Sequence, residues 1–218
     1  MAILRGHSRL VSHTLGKMFP LLRLMRGKGS MLGRILITMI FCLSVLVGSS
    51  SIVNTNTPAS PEYLTKAAYL YNFTKFVEWP PEAFKDNLST INLFILGTNP
   101  FGEALDSIKN RMVQGRRLNI KHVNHIEEIS GCHILFISSS EKDNLGYILR
   151  ALKNSTILTV SEIERFAQRG GIIDFILVEN KIHFEINPDA AQQSGLKIGS
   201  QLLRLAKIVT PESRKEKE

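Results

Sequence analysis

The chain has 218 residues, and 27 lysines and arginines against 19 aspartates and glutamates give it a net charge of +8. The excess is local: residues 1–34 hold seven basic residues and no acidic one, leaving 20 against 19 in the remainder. A nucleic-acid role built on basicity is thereby excluded, and no GxxxxGKS/T or zinc-knuckle spacing is present.

The basic start runs into ILITMIFCLSVLV at 35–47, uncharged and apolar, and then into Gly48-Ser49-Ser50-Ser51. A basic region, a short apolar stretch and a small-residue exit predict a secretory signal peptide. The apolar run falls short of the ~20 residues of a membrane span. A cleaved signal over residues 1–49 is expected, with processing near 49–51, where Val47 and Ser49 suit the cleavage pocket. Signal peptides usually total about 15–30 residues, so the true start is expected at Met25 or Met31. Cys42 lies inside this signal, and bulky Phe41 before it breaks a lipobox.

Residues 50–61, SSIVNTNTPASP, read as a flexible linker. Residues 62–210 are expected to form one domain, long enough for a single core, and 211–218 a charged tail. Cys132 is the one cysteine left after the signal, so no internal disulfide can form. At the edge of GCHILFIS it reads as a small buried hydrophobe, with a redox or intermolecular role as the alternative.

From there the chain alternates. INLFIL (91–96) is a buried strand, 101–110 has helical spacing, and LNIKHV (118–123) and HILFIS (133–138) are strands. Residues 141–153 are helical and TILTV (156–160) is a short strand. Ser161 with Glu164 predicts a capping box, opening a helix that stops at Gly170-Gly171. IIDFILV (172–178) and KIHFEI (181–186), joined by Glu179-Asn180, read as a hairpin. Asn187-Pro188 supplies an N-cap with proline at N1; a short helix follows to Gly195, and 200–209 is a last amphipathic one. The alternation predicts an α/β fold: a mostly parallel sheet flanked by helices on both faces, with a C-terminal antiparallel hairpin.

Chemistry is sparse in this pattern. No nucleophile–base–orienter set is evident and G-x-S-x-G, HExxH and GxGxxG are absent, so no catalytic residue, metal or cofactor is expected. His122 and His125 are three apart but straddle a strand end and a turn, where they do not share a face. Lys181, His183 and Glu185 form one polar face of a strand, either solvated or in contact with a partner. The loops after two of the strands, with Thr98 and Asn99 in one and Ser138, Ser139 and Ser140 in the other, fall where such sheets collect ligands. Turn and capping chemistry is the alternative, since Ser138 and Glu141 also fit S-x-x-E.

Five aromatics cluster at 69–79: Tyr69, Tyr71, Phe73, Phe76 and Trp79. A helix over 61–79 places Tyr69, Phe73, Phe76, Val77 and Leu70 on one arc, with Lys66 among them. Ala67, Tyr71, Leu64, Ala68 and Trp79 lie on the opposite arc. A helix apolar on two sides needs two covers. The second could be the 200–209 helix, another subunit or partner, or an aromatic cage. Tyr69, Phe73 and Phe76 are therefore candidate interface residues, because aromatics bury much area with few rotatable bonds.

Taken in order, KAAYLYNFTKFVEWP (66–80), ILGTNPFG (95–102), VQGRRL (113–118), CHILFIS (132–138), ILTV (157–160), the GG at 170–171 and FEINPDAAQQSGLKIGSQLLRLAK (184–207) form a set. That set resembles the YfiR family of small periplasmic proteins from about 62 to 209. The resemblance implies a periplasmic, non-enzymatic regulator that binds the periplasmic portion of a membrane-bound diguanylate cyclase and restrains cyclic-di-GMP synthesis. It meets the membrane only through that partner, and a homodimer is expected. A small-ligand-binding accessory of a sensor or transport system is the alternative. The redox control associated with the family does not carry over to a chain with one mature cysteine.

Overall fold

The computed structural model describes residues 60–85 and 90–211. The expected signal, both candidate start methionines, nearly all of the linker and residues 212–218 of the tail lie outside these residues.

An eight-stranded sheet organises the domain, in the order β10-β8-β7-β6-β5-β2-β4-β3. Its strands are β2 (Ile91–Leu96), β3 (Met112–Val113), β4 (Arg116–Val123), β5 (Ile134–Ile137), β6 (Leu158–Ser161), β7 (Ile173–Val178), β8 (Lys181–Ile186) and β10 (Lys207–Ile208). The pairings β4–β2–β5–β6–β7 and β8–β10 are parallel, whereas β7–β8 and β3–β4 are antiparallel. The sheet is thus mixed rather than simply parallel. The short strands β1 (Val77–Glu78) and β9 (Lys197–Ile198) form a separate antiparallel pair.

The central strands are buried on both faces, and successive residues feed two cores. On β2 and β5, Leu93, Ile95, Ile134 and Phe136 enter the larger one, and Phe94, Leu96, Leu135 and Ile137 the other. The helix α1 (Pro61–Phe76) covers the larger core. The opposite face is covered by α2 (Leu145–Ala151) and by Ile163 and Phe166. Only the first of these covers is a long helix, so the expectation of flanking helices is met in part.

Three expected helices differ. Residues 101–110 hold a 3-10 segment, Gly102–Ser107, and α2 begins at Leu145 after a separate 3-10 turn at Ser139–Glu141. The Ser161–Glu164 capping box does not form: Ser161 ends β6, its hydroxyl donating to Ile137 O (2.7 Å) and accepting from Ile163 N (3.1 Å). With that oxygen engaged, 163–170 runs as turns and Arg165 takes a left-handed φ of 60°. Gly171 is required here, because a Cβ would stand 2.1 Å from the Phe166 ring.

The hairpin and the last cap follow local chemistry. Glu179 and Asn180 both take positive φ (49° and 60°), as a tight two-residue hairpin turn demands. Asn187 Oδ1 accepts from Ala190 N at 3.0 Å and opens α3 (Pro188–Gln193).

The helix α1 stops at Phe76, three residues before the expected end. Val77 pairs with Ile198, and Trp79 precedes a proline, which disfavours helical backbone. Gln114 Nε2 donates to Thr74 O and Val77 O, satisfying carbonyls the helix end leaves open. Trp79 instead packs in the core, with Nε1 on His133 O at 3.2 Å. The second cover of α1 comes from the same domain: Gly199 N donates to Phe76 O, and α4 (Ser200–Leu205) lies against the helix.

Candidate functional site

The first half of α1 crosses the β7–β8 hairpin. Pro61, Glu62, Thr65 and Tyr69 line one wall of a groove, and Leu177, Asn180, Lys181, Ile182 and His183 line the other. Tyr69 is held there by edge-on packing against Phe184, with ring centres 5.3 Å apart. The groove gathers three of the candidate interface residues, Tyr69, Lys181 and His183. Lys181 and His183 are exposed, as are the apolar Leu177 and Val178 at the hairpin end.

Two other candidates are corrected. Phe73 is fully buried, stacked on Phe175 (5.7 Å) and edge-on to Phe184 (5.2 Å), so it is core and presents no surface. Glu185 shares a strand face with Lys181 and His183 but is only 4% exposed. It accepts from Gln168 Nε2 and from Lys207 Nζ on β10, which cover that end of β8. Phe76 is half-buried, its carbonyl bonded to Gly199 N.

The strand-end loops do come together. Thr98 N donates to Ser140 Oγ at 2.9 Å, and Ser138 Oγ accepts from Ser140 N. Asn99 Oδ1 accepts from Phe101 N, and Ser139 Oγ donates to Glu162. Gly97 makes this approach possible, since a Cβ would stand 2.4 Å from Ser140 Oγ. One bond, Thr98 N to Ser140 Oγ, joins the two loops, and Asn99, Ser138 and Ser139 spend their side-chain oxygens on local backbone or on Glu162, in the manner of turn and capping chemistry.

Beside them lies a cluster that spacing alone does not find. Lys66 of α1 is buried and pairs with both Glu62 and Glu162, while Tyr63 also donates to Glu162. Burial opposes the Lys66 charge, yet the bonds to the two carboxylates outweigh it and hold the ammonium above its ordinary range. Burial and the Glu162 charge raise the Tyr63 hydroxyl in turn. The signals in the sequence were a lysine on an apolar arc and its i,i+4 spacing from Glu62; Glu162 gave none.

A second charged cluster sits under the other face. Asp174 is 1% exposed and its Oδ2 accepts from Phe166 N, while its Oδ1 has no partner among the described residues. Burial pushes its carboxyl up to about 7, with the Glu185 charge adding to the shift. Cys132 is buried with Sγ on Ile134 O, and burial pushes its thiol up to about 12. His122 contacts Gly97 O while His125 caps Ile126–Glu128, and among the described residues no group of three metal-ligating side chains forms.

Residues 63–207, from α1 to the first residue of β10, match the YfiR/HmsC-like family. The chain belongs to the YfiR/HmsC-like family. At family level that supports a regulator of cyclic-di-GMP signalling, periplasmic and regulatory rather than catalytic. Among curated proteins, none matches the chain. No helix of the described residues is long and apolar enough to cross a membrane.

Proposed function

We propose that this YfiR/HmsC-like protein is exported and binds the periplasmic portion of a membrane-bound diguanylate cyclase, lowering cyclic-di-GMP synthesis. The family match across the folded domain carries the reading. The docking surface we assign is the groove between α1 and the β7–β8 hairpin, where Tyr69, Lys181 and His183 meet exposed Leu177. An aromatic anchor beside Lys181, an exposed imidazole and an apolar rim suits a protein partner. A homodimer through the same exposed side of α1 belongs to this reading. The ligand-accessory alternative has less support, because Asn99, Ser139 and Ser140 in the strand-end loops already have their side-chain oxygens bonded within the domain.

Cellular cyclic-di-GMP in a deletion strain tests the role. A rise that falls on complementation supports repression. No change, with the protein and a candidate cyclase both expressed, overturns it. Complementation with Lys181→Glu and His183→Glu tests the surface: loss of repression at normal protein level supports the groove, and full repression sinks it.

A further inference from the structure

On the far side of the sheet from the β2 and β5 carboxyl ends, a cleft of about 410 Å³ opens at the start of β6 and β7. That volume lies within the roughly 300–1,000 Å³ of small-molecule sites. Leu149, Ile157 and Ile172 form apolar parts of its wall, while Arg150, Lys153 and Arg169 bring three cations to it. Its lining contains no aspartate or glutamate. None of the three cations forms an ion pair with a carboxylate among the described residues.

This is unusual in a domain whose charges otherwise nearly cancel. Arg150, Lys153 and Arg169 are all exposed, and three like charges around one cleft raise the positive potential at its mouth. Two helices end at the cleft, and their free carbonyls would offset that potential. Four of the carbonyls there are engaged, which reduces that offset: Lys153 N donates to Arg150 O, Ser155 N to Leu152 O, Ser194 N to Ala190 O and Gly195 N to Gln192 O. An adjoining recess shares Arg169 and Gln193 and is lined also by Gln168.

We propose that this cleft binds a small organic anion: a carboxylate, phosphate or sulfonate held by Arg150, Lys153 and Arg169, on an apolar body seated against Leu149, Ile157 and Ile172. The site is separate from the α1–hairpin groove and does not rest on the docking reading.

The test is titration of the purified full chain with 1-naphthoate, phenyl phosphate and naphthalene-1-sulfonate, followed by amide NMR. The neutral 1-naphthamide serves as the isosteric control. At least one anion should bind saturably and shift amides at 150–155 and 169–170. The amide control should bind about tenfold more weakly or worse, as expected when a charge-assisted contact is lost. Arg150→Gln and Arg169→Gln, both at exposed positions, should each weaken the anion several-fold with unchanged circular dichroism. Lys181→Gln in the other groove should leave it unaltered. Displacement of phenyl phosphate by phosphatidylglycerol vesicles would assign the anion to a lipid headgroup rather than a free solute. No saturable binding of any of the three anions, equal binding of the amide, or an equal effect of Lys181→Gln overturns the proposal.

Discussion

Asp174 and Glu185 face each other across the β7–β8 ladder, at 1% and 4% exposure, and among the described residues only Glu185 has a cation, Lys207 of β10. Two carboxyl groups this close and this dry favour a proton on one of them. Asp174 holds it: its Oδ1 is unpartnered, whereas Glu185 takes bonds from both Gln168 and Lys207.

Stability should therefore depend on pH through Asp174. Its folded pKa is about 7, against ~3.9 for an unfolded aspartate. Between these values the folded chain keeps a proton that the unfolded chain releases. The stabilisation is complete below about pH 4 and is lost as pH rises through about 7. At pH 8, Asp174→Asn should be more stable than the parent, by at most about 4 kcal/mol. At pH 4 the two should nearly coincide. Urea unfolding at both values checks this, and a difference independent of pH would count against it.

Lys66 and its two acidic partners separate burial from mere pairing. The Glu62 side chain is 42% exposed and that of Glu162 only 12%. Glu62→Ala should cost less than about 1 kcal/mol, the usual scale of an exposed pair. Lys66→Ala leaves Glu162 without its cation and should cost about 3 kcal/mol or more. Comparable losses for both substitutions in denaturant unfolding would show that the cluster is not dry.

The aromatic stretch divides between core and surface. Phe73→Ala removes a fully buried ring and should cost about 3–5 kcal/mol. Tyr69→Ser loses ring contacts with Phe73, Phe175 and Phe184 and should cost about 1–2 kcal/mol, leaving a folded protein. On the proposed docking surface it should also reduce capture of the cyclase's periplasmic portion. Undiminished capture by a folded Tyr69→Ser protein would remove Tyr69 from the interface.

Cys132 should be unreactive in the folded protein. A thiol pushed to about 12 by burial, against ~8.5 when free, has a thiolate fraction at pH 8 lower by about three orders of magnitude. An aromatic disulfide reagent should label it rapidly in urea and very slowly without. Rapid native labelling would reopen a redox role.

Several elements were legible without coordinates because their causes are local. The apolar runs at 91–96 and 134–137 are buried on both sides, the turn at Glu179-Asn180 closes the hairpin, and Asn187 caps the helix after it. Apolar patterning and turn chemistry act over a few residues, so they can be read from a few residues.

What the tertiary structure decided was the use of groups whose partners are distant in the chain. Lys66 and Glu162 are 96 residues apart, and nothing near either announces the pair. Ser161 has the spacing of a capping box, but the neighbouring strand takes its hydroxyl through Ile137 O. Glu185 has the alternation of an exposed residue until Gln168 and Lys207 cover it. The cations Arg150 and Arg169 meet at one cleft only because β6 and β7 are neighbours. Side-chain hydrogen bonds and charges reach whatever the fold brings within a few ångströms, and sequence spacing holds no record of those distances.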